Sequence, residues 1–197
     1  LRRQRQMCIR DSRMRVAKPH QYFAVTKAAG RTIQAARSDK KAGVVWHTTG
    51  SGKSMEMEMY TAKIMRDARM DSPTVVVIND RNELDKQLFD TFSVSTLLPE
   101  SPVHITSRED LREQLSQRQS GGIYFATLQK FGLQGKNDDR ELEHPVLSER
   151  HNIVVISDEA HRSHYGFGDT NADGYAHHLR TALPNATMIC LLYTSDA

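Results

Sequence analysis

One short stretch constrains this chain more than any other: His47-Thr48-Thr49-Gly50-Ser51-Gly52-Lys53-Ser54, directly after the apolar run Val44-Val45-Trp46. Gly50 and Gly52 tolerate the backbone angles that let consecutive N–H groups converge on one centre. Such a nest has to leave a strand and open into a helix, whose N-terminal dipole adds to its attraction for anions. There Lys53 can reach the β- and γ-phosphates of a nucleotide, and the Ser54 hydroxyl can ligate Mg2+. The strict pattern opens with glycine where this chain has His47. The bland alternative is a glycine turn with an exposed lysine.

The helix requirement decides an ambiguous neighbour. Met55-Glu56-Met57-Glu58-Met59 alternates with the period of a strand, but a segment leaving a phosphate loop must be helical. Read so, Met57, Tyr60, Ile64 and Ala68 share one face, with the methionines as core filler.

The rest alternates β-branched runs with longer amphipathic segments, which predicts a mostly parallel sheet with helices on both faces. Strands are expected at Val44–Trp46 (buried), Thr74–Ile78 (covered on both faces), Val103–Thr106 (weak), Ile123–Thr127 and Ile153–Ser157. Helices are expected from His20 to about Arg37, Gly52 to Met70, Glu83 to Phe92, and from Ser107 through Leu115 behind a capping-box-like start. The charged stretch Gln134–Asn152, with Pro145, reads as surface loop or ragged helix.

A second motif completes the first. Ile153-Val154-Val155-Ile156-Ser157 runs into Asp158-Glu159-Ala160-His161. A carboxylate at the C-terminal end of a buried strand beside a phosphate loop is where Mg2+ takes a further protein contact, and Asp158 fits. Glu159 is placed to orient and activate an attacking water. A chance match to these four letters in a chain this long is on the order of one in a thousand. The pair of motifs points to an ATPase core using ATP and Mg2+.

That combination resembles the first motor domain of superfamily 2 helicases and translocases, a RecA-like P-loop NTPase domain. The wider strings resemble the type I restriction enzyme R (motor) subunit. Asp158-Glu159-Ala160-His161-Arg162-Ser163-His164-Tyr165-Gly166 is similar to that family's DEAHRSQYG, with His164 in place of Gln. Trp46 to Ser54 is similar to its WHTQGSGKS, and Pro19 to Val25 to its HQYFAV segment. The resemblance implies that Gln21 reads the adenine edge; otherwise it would be an ordinary exposed helix glutamine. Thr49, Gly50, Ser51, Gly52, Lys53 and Ser54 would hold the nucleotide, Ser54 and Asp158 the Mg2+, and Lys53, Asp158 and Glu159 would serve catalysis. His161 would couple the nucleotide site to the rest of the motor.

Two further strings fit. Asn79 to Leu88 is similar to VDRxxLDxQ, and Phe125 to Phe131 to TTxQKF. By resemblance these face the nucleic-acid track, so Arg81, Thr127 and Gln129 become candidates for contact with a DNA backbone. Without it, Arg81 is a solvated charge and Thr127 a strand-end cap. The likeness spans about residues 13–189 and implies double-stranded DNA, together with methylation and specificity subunits, as partners. Other readings stay open: another superfamily 2 helicase or type III restriction subunit, a P-loop kinase or transferase, or an inert nucleotide-binding fragment.

Residues 1–12 and 190–197 depart from the family pattern abruptly and read as non-native tails flanking one domain at 13–189. No nuclease or second motor domain is visible, so the isolated chain is expected to bind nucleotide but hydrolyse it poorly. The tails also account for the charge. The chain has 27 basic and 24 acidic residues, net +3. Removing both tails takes away four arginines and two aspartates (Asp11 and Asp196), which leaves 23 basic against 22 acidic residues. Net charge is therefore no argument for DNA, and the DNA expectation rests on motifs. No run approaches the roughly 18 apolar residues of a membrane span, and no signal-peptide core opens the chain, so a cytoplasmic, non-membrane protein is expected. Cys8 and Cys190 are too few for a disulfide framework.

Overall fold

Every residue of Thr74–Asn79 is buried, a pattern suited only to a strand covered on both faces. The computed structural model describes residues 16–48, 52–79, 82–134, 141, 143–158 and 170–194. Within them six strands form one sheet: β1 (Lys41–Thr48), β2 (Thr74–Asn79), β3 (Val103–His104), β4 (Ile123–Thr127), β5 (Ile153–Asp158) and β6 (Thr187–Thr194). Their order is β1-β6-β5-β2-β4-β3 and each pairing is parallel. The helices are α1 (Pro19–Ala35), α2 (Lys53–Met65), α3 (Asn82–Ser93), α4 (Arg108–Gln117) and α5 (Thr170–Ala182), with 3-10 turns at Ala68–Met70 and Leu128–Phe131.

Side-chain alternation divides the core in two. Val75, Val77, Phe125, Val154 and Ile156 meet α1, α2 and α3 on one face. Val76, Ile78, Tyr124, Ala126 and Val155 meet α4, α5 and the turn after β4 on the other. The expected α/β architecture with two covered faces is therefore the observed one. The methionine-rich segment is helical, with Met57, Tyr60 and Ile64 buried, although Ala68 lies beyond the helix and is exposed. The fully buried Phe125 ring is edge-on to Phe92 at 5.0 Å and to Phe89 at 5.4 Å. Phe125→Ala is expected to cost about 3–5 kcal/mol in a denaturant titration. A loss under about 1 kcal/mol would contradict this packing.

Four expectations need correction. Val44–Trp46 does form a strand, but β1 is at the sheet edge, with Val44 61% and Trp46 69% exposed. Helix α1 covers one face of β1, through Ala42 and Val45, while α4 and α5 lie over the strands further in. The third strand shrinks to Val103–His104. Neither α5 nor β6 is anticipated by period. Strand β6 also runs unbroken across the expected boundary at 189/190, with Leu191 only 4% exposed, because Cys-Leu-Leu is apolar enough to extend it.

The stretch before β5 is the fourth. Its described residues hold no helix or strand, yet His144 and Leu147 are buried. The Arg112 guanidinium donates to both Glu141 oxygens, at 2.7 and 2.6 Å, and lowers that carboxyl to about 2. His144 Nδ1 lies 2.8 Å from the Pro145 carbonyl and so carries the hydrogen. Its ring stacks on His178, and its Nε2 has no hydrogen-bond partner among the described residues. Burial, with Arg112 and His178 nearby, lowers its tendency to protonate. The unfolded chain therefore takes up this proton more readily. The resulting stability is present above the ordinary histidine value of about 6.5 and is lost as pH falls through it. His144→Phe is expected to flatten the fall in denaturation midpoint between about pH 7 and 5; an unchanged slope would contradict this assignment.

Candidate active site

Ligands of open parallel sheets bind where the strands end at their carboxyl edge. Here β1 ends at Thr48 and β5 at Asp158, separated by β6, and Leu191 of β6 is the register partner of both Val45 and Asp158. Two strand spacings, about 10 Å, thus separate the strand that leads into the expected phosphate loop from the strand that carries Asp158. Thr49, Gly50, Ser51 and Glu159 lie outside the described residues, as does His161.

Gly52 closes the loop and caps α2. Its φ of 97° and ψ of 45° put it in the left-handed region, which favours glycine. The Gly52 carbonyl accepts the Met55 and Glu56 N–H groups at 3.1 and 3.2 Å, so the helix starts at once with Lys53 and Ser54. The first N–H groups of a helix have no acceptor within it and present positive charge to an anion. The Gln21 carboxamide packs against this turn. Its Nε2 donates to the Gly52 carbonyl at 3.3 Å, while its Oε1 accepts the Lys18 N–H at 2.9 Å. A Cβ on Gly52 would sit 2.5 Å from that Nε2. Gln21 is 2% exposed, not the exposed residue an ordinary helix glutamine would be.

Two contacts that sequence patterning missed steady this corner. The Thr32 and Tyr60 hydroxyls lie 2.6 Å apart and join α1 to α2; Thr32 donates onward to the Ala28 carbonyl at 2.9 Å, which leaves Tyr60 as donor to Thr32. Burial pushes the Tyr60 phenol well above its usual range. The Ser95 hydroxyl, beyond α3, donates to Glu58 on α2. Thr32 and Glu58 each occupy positions that periodicity assigns to a helix, and only the packed partner reveals their role.

Two of the three DNA-contact candidates, Thr127 and Gln129, lie where β4 leaves the sheet. Asn79 and Thr127 are register partners at the ends of β2 and β4. Arg81 lies outside the described residues. Thr127 is 8% exposed and leads into the turn Leu128–Phe131, on which Gln129 is exposed and Lys130 donates to the Thr106 carbonyl.

The SWI2/SNF2 ATPase family model matches residues 20–194. The chain belongs to the SWI2/SNF2 ATPase family. Among relatives, it is 46% identical over 183 residues to the type I restriction enzyme HindI endonuclease subunit of Haemophilus influenzae, matching 89% of this chain and 17% of that one. A Staphylococcus aureus type I restriction enzyme endonuclease subunit is 30% identical over 156 residues, matching 79% of this chain and 16% of the other. The chain thus spans about a sixth of the length of these relatives. The yeast DEAD-box splicing factor Prp28 overlaps 78% of this chain and 37% of its own, at 17% identity and a TM-score of 0.45. Membership of an ATPase family makes this a nucleotide-binding domain. Among the described residues no helix is long and apolar enough to cross a membrane.

Proposed function

We propose that this domain binds ATP with Mg2+ and serves as a motor domain of a type I restriction endonuclease subunit, coupling hydrolysis to movement along double-stranded DNA before cleavage. The observation that carries the reading is the turn at Gly52: a left-handed glycine, held by Gln21, opening α2 directly on Lys53 and Ser54. The likeness to restriction endonuclease subunits supports the DNA and restriction parts of it. Methylation and specificity subunits are the partners that this reading implies, and the cytoplasm its compartment.

A lysine and the N–H groups at the start of α2 fit the charge of a nucleoside triphosphate. Among the described residues no group of three or more His, Cys, Asp or Glu forms a metal cage. Ser54 and Asp158 would hold Mg2+ together with phosphate oxygens, the usual way this ion is bound. When bound, it offsets charge on the phosphates. Thr49, Gly50, Ser51 and Gly52 would wrap the phosphates with N–H groups, and Lys53 would neutralise the terminal ones. Glu159 would accept a proton from the attacking water. Arg81, Thr127 and Gln129 would hold the DNA backbone without reading its sequence.

Calorimetric titration with ATP tests the metal assignment. Wild-type protein should bind at least about tenfold more tightly with Mg2+ than without, and Asp158→Asn should lose most of that gain. Equal affinity with and without Mg2+ in the wild type would sink it.

A further inference from the structure

The outer surface of α1 and α2 carries a charge pattern that the nucleotide site does not use. These helices run side by side in the same direction. Gln21 meets Gly52 near their starts, Thr32 in the last turn of α1 meets Tyr60 midway along α2, and the Arg37 guanidinium donates to the Arg69 carbonyl at 3.5 Å beyond their ends. Lys27 and Arg31 stand one turn apart on α1, and Lys63 stands in the last turn of α2 with Arg66 at its C-cap; all four are exposed. With Thr32 and Tyr60 level, the four span about 16 Å along the helix direction, and Arg31 and Lys63 differ by about 6 Å. Arg37, Lys41 and Arg69 extend the row at its lower end, also exposed.

The acidic residues here are few. Asp67 is engaged by the Arg69 guanidinium at 2.7 and 2.9 Å, which lowers its carboxyl to about 2, and among the described residues Asp39 and Asp71 are the exposed acids near it. Cations near a helix C-terminus need no special cause. That explains Lys63, in the last turn of α2, but not Lys27 or Arg31, since α1 has no base in its last turn. The domain body is almost neutral, so this is segregated charge and not general basicity.

We propose that the α1–α2 face is a second contact for duplex DNA, gripping the phosphate backbone on the flank of the domain. The inference rests on the DNA-motor reading above. Two neighbouring rows of bases suit the closely spaced phosphates of a duplex, and Gly30 and Gln34, exposed beside Arg31, are not apolar. A lipid surface is the rival, since Tyr22 and Phe23 are exposed a turn before Lys27.

The test is fluorescence anisotropy of a mixed-sequence duplex across a salt series, on the whole chain. The double variants Arg31→Glu/Lys63→Glu and Arg31→Gln/Lys63→Gln are compared with wild type. Both should keep the wild-type thermal midpoint and Mg-ATP affinity. The reversal pair should bind DNA about tenfold more weakly or worse, and both should reduce the log–log salt slope by about 2. Unchanged DNA affinity and slope would overturn the inference while leaving the motor reading intact. So would wild-type protein that binds Mg-ATP but no duplex. Phosphatidylserine-rich vesicles captured by wild type and released by the reversal pair, with DNA binding unaffected, would overturn it in favour of a membrane surface.

Discussion

Gly52→Ala is expected to weaken Mg-ATP binding by about ten- to a hundredfold, as a strain of about 1–3 kcal/mol at this turn implies. Two separate effects combine. A side chain at φ 97° is strained whatever surrounds it. The new methyl would also sit 2.5 Å from the Gln21 amide nitrogen, forcing that buried carboxamide off the loop. Gln21 would then lose its bond to the Gly52 carbonyl, and with it the contact that holds α1 against the start of α2. The two effects can be separated. Gln21→Ala in the same background removes the collision but not the backbone strain, so the double variant should recover only part of the lost affinity. Wild-type affinity in Gly52→Ala would contradict the left-handed turn.

Most of the fold is legible in the sequence where local pattern and tertiary environment agree. Val75–Ile78 and Ile153–Ile156 are continuous apolar runs because both faces of the sheet are covered there, so composition alone identifies these strands. The Ser107 cap reads correctly because its signal is local: the hydroxyl accepts the Asp110 N–H at 3.0 Å. The helix at Met55–Met59 is legible only through the loop before it, since its own alternation argues for a strand. β1 misleads for the opposite reason. An apolar run does not say how many neighbours a strand has, and Val44 and Trp46 sit at an edge. The loop before β5 hides its buried residues because they are held by partners far along the chain. Arg112 holds Glu141, and Leu147 donates its N–H to the Ala182 carbonyl at 2.8 Å. Arg150 illustrates the same limit. It donates to Thr74 Oγ1 at 2.6 Å, the Arg118 carbonyl at 2.7 Å and Asn152 Oδ1 at 3.0 Å, tying the lower ends of β2 and β5 together. Nothing in its neighbours along the chain announces that.

The site divides in the same way. The residues proposed to hold the phosphates are contiguous, so sequence alone names them as candidates. Gln21 is different: the family resemblance singles it out, and its seat on the Gly52 carbonyl comes only from the packing of α1 on α2.

Lys53 is the residue on which the nucleotide reading depends most. It is the first residue of α2, directly after the left-handed glycine, so in the proposed reading its side chain and the helix start would serve the same anion. Losing a charge-assisted contact of this kind costs about 1.5–3 kcal/mol, or roughly ten- to a hundredfold in affinity. Lys53 is only partly buried, so Lys53→Ala should leave the thermal midpoint nearly unchanged. The decisive measurement is Mg-ATP affinity by calorimetry for wild type and Lys53→Ala side by side. Binding weakened at least about tenfold in a folded variant is the predicted result. Equal affinity in the two proteins would contradict the assignment of this loop as a phosphate site.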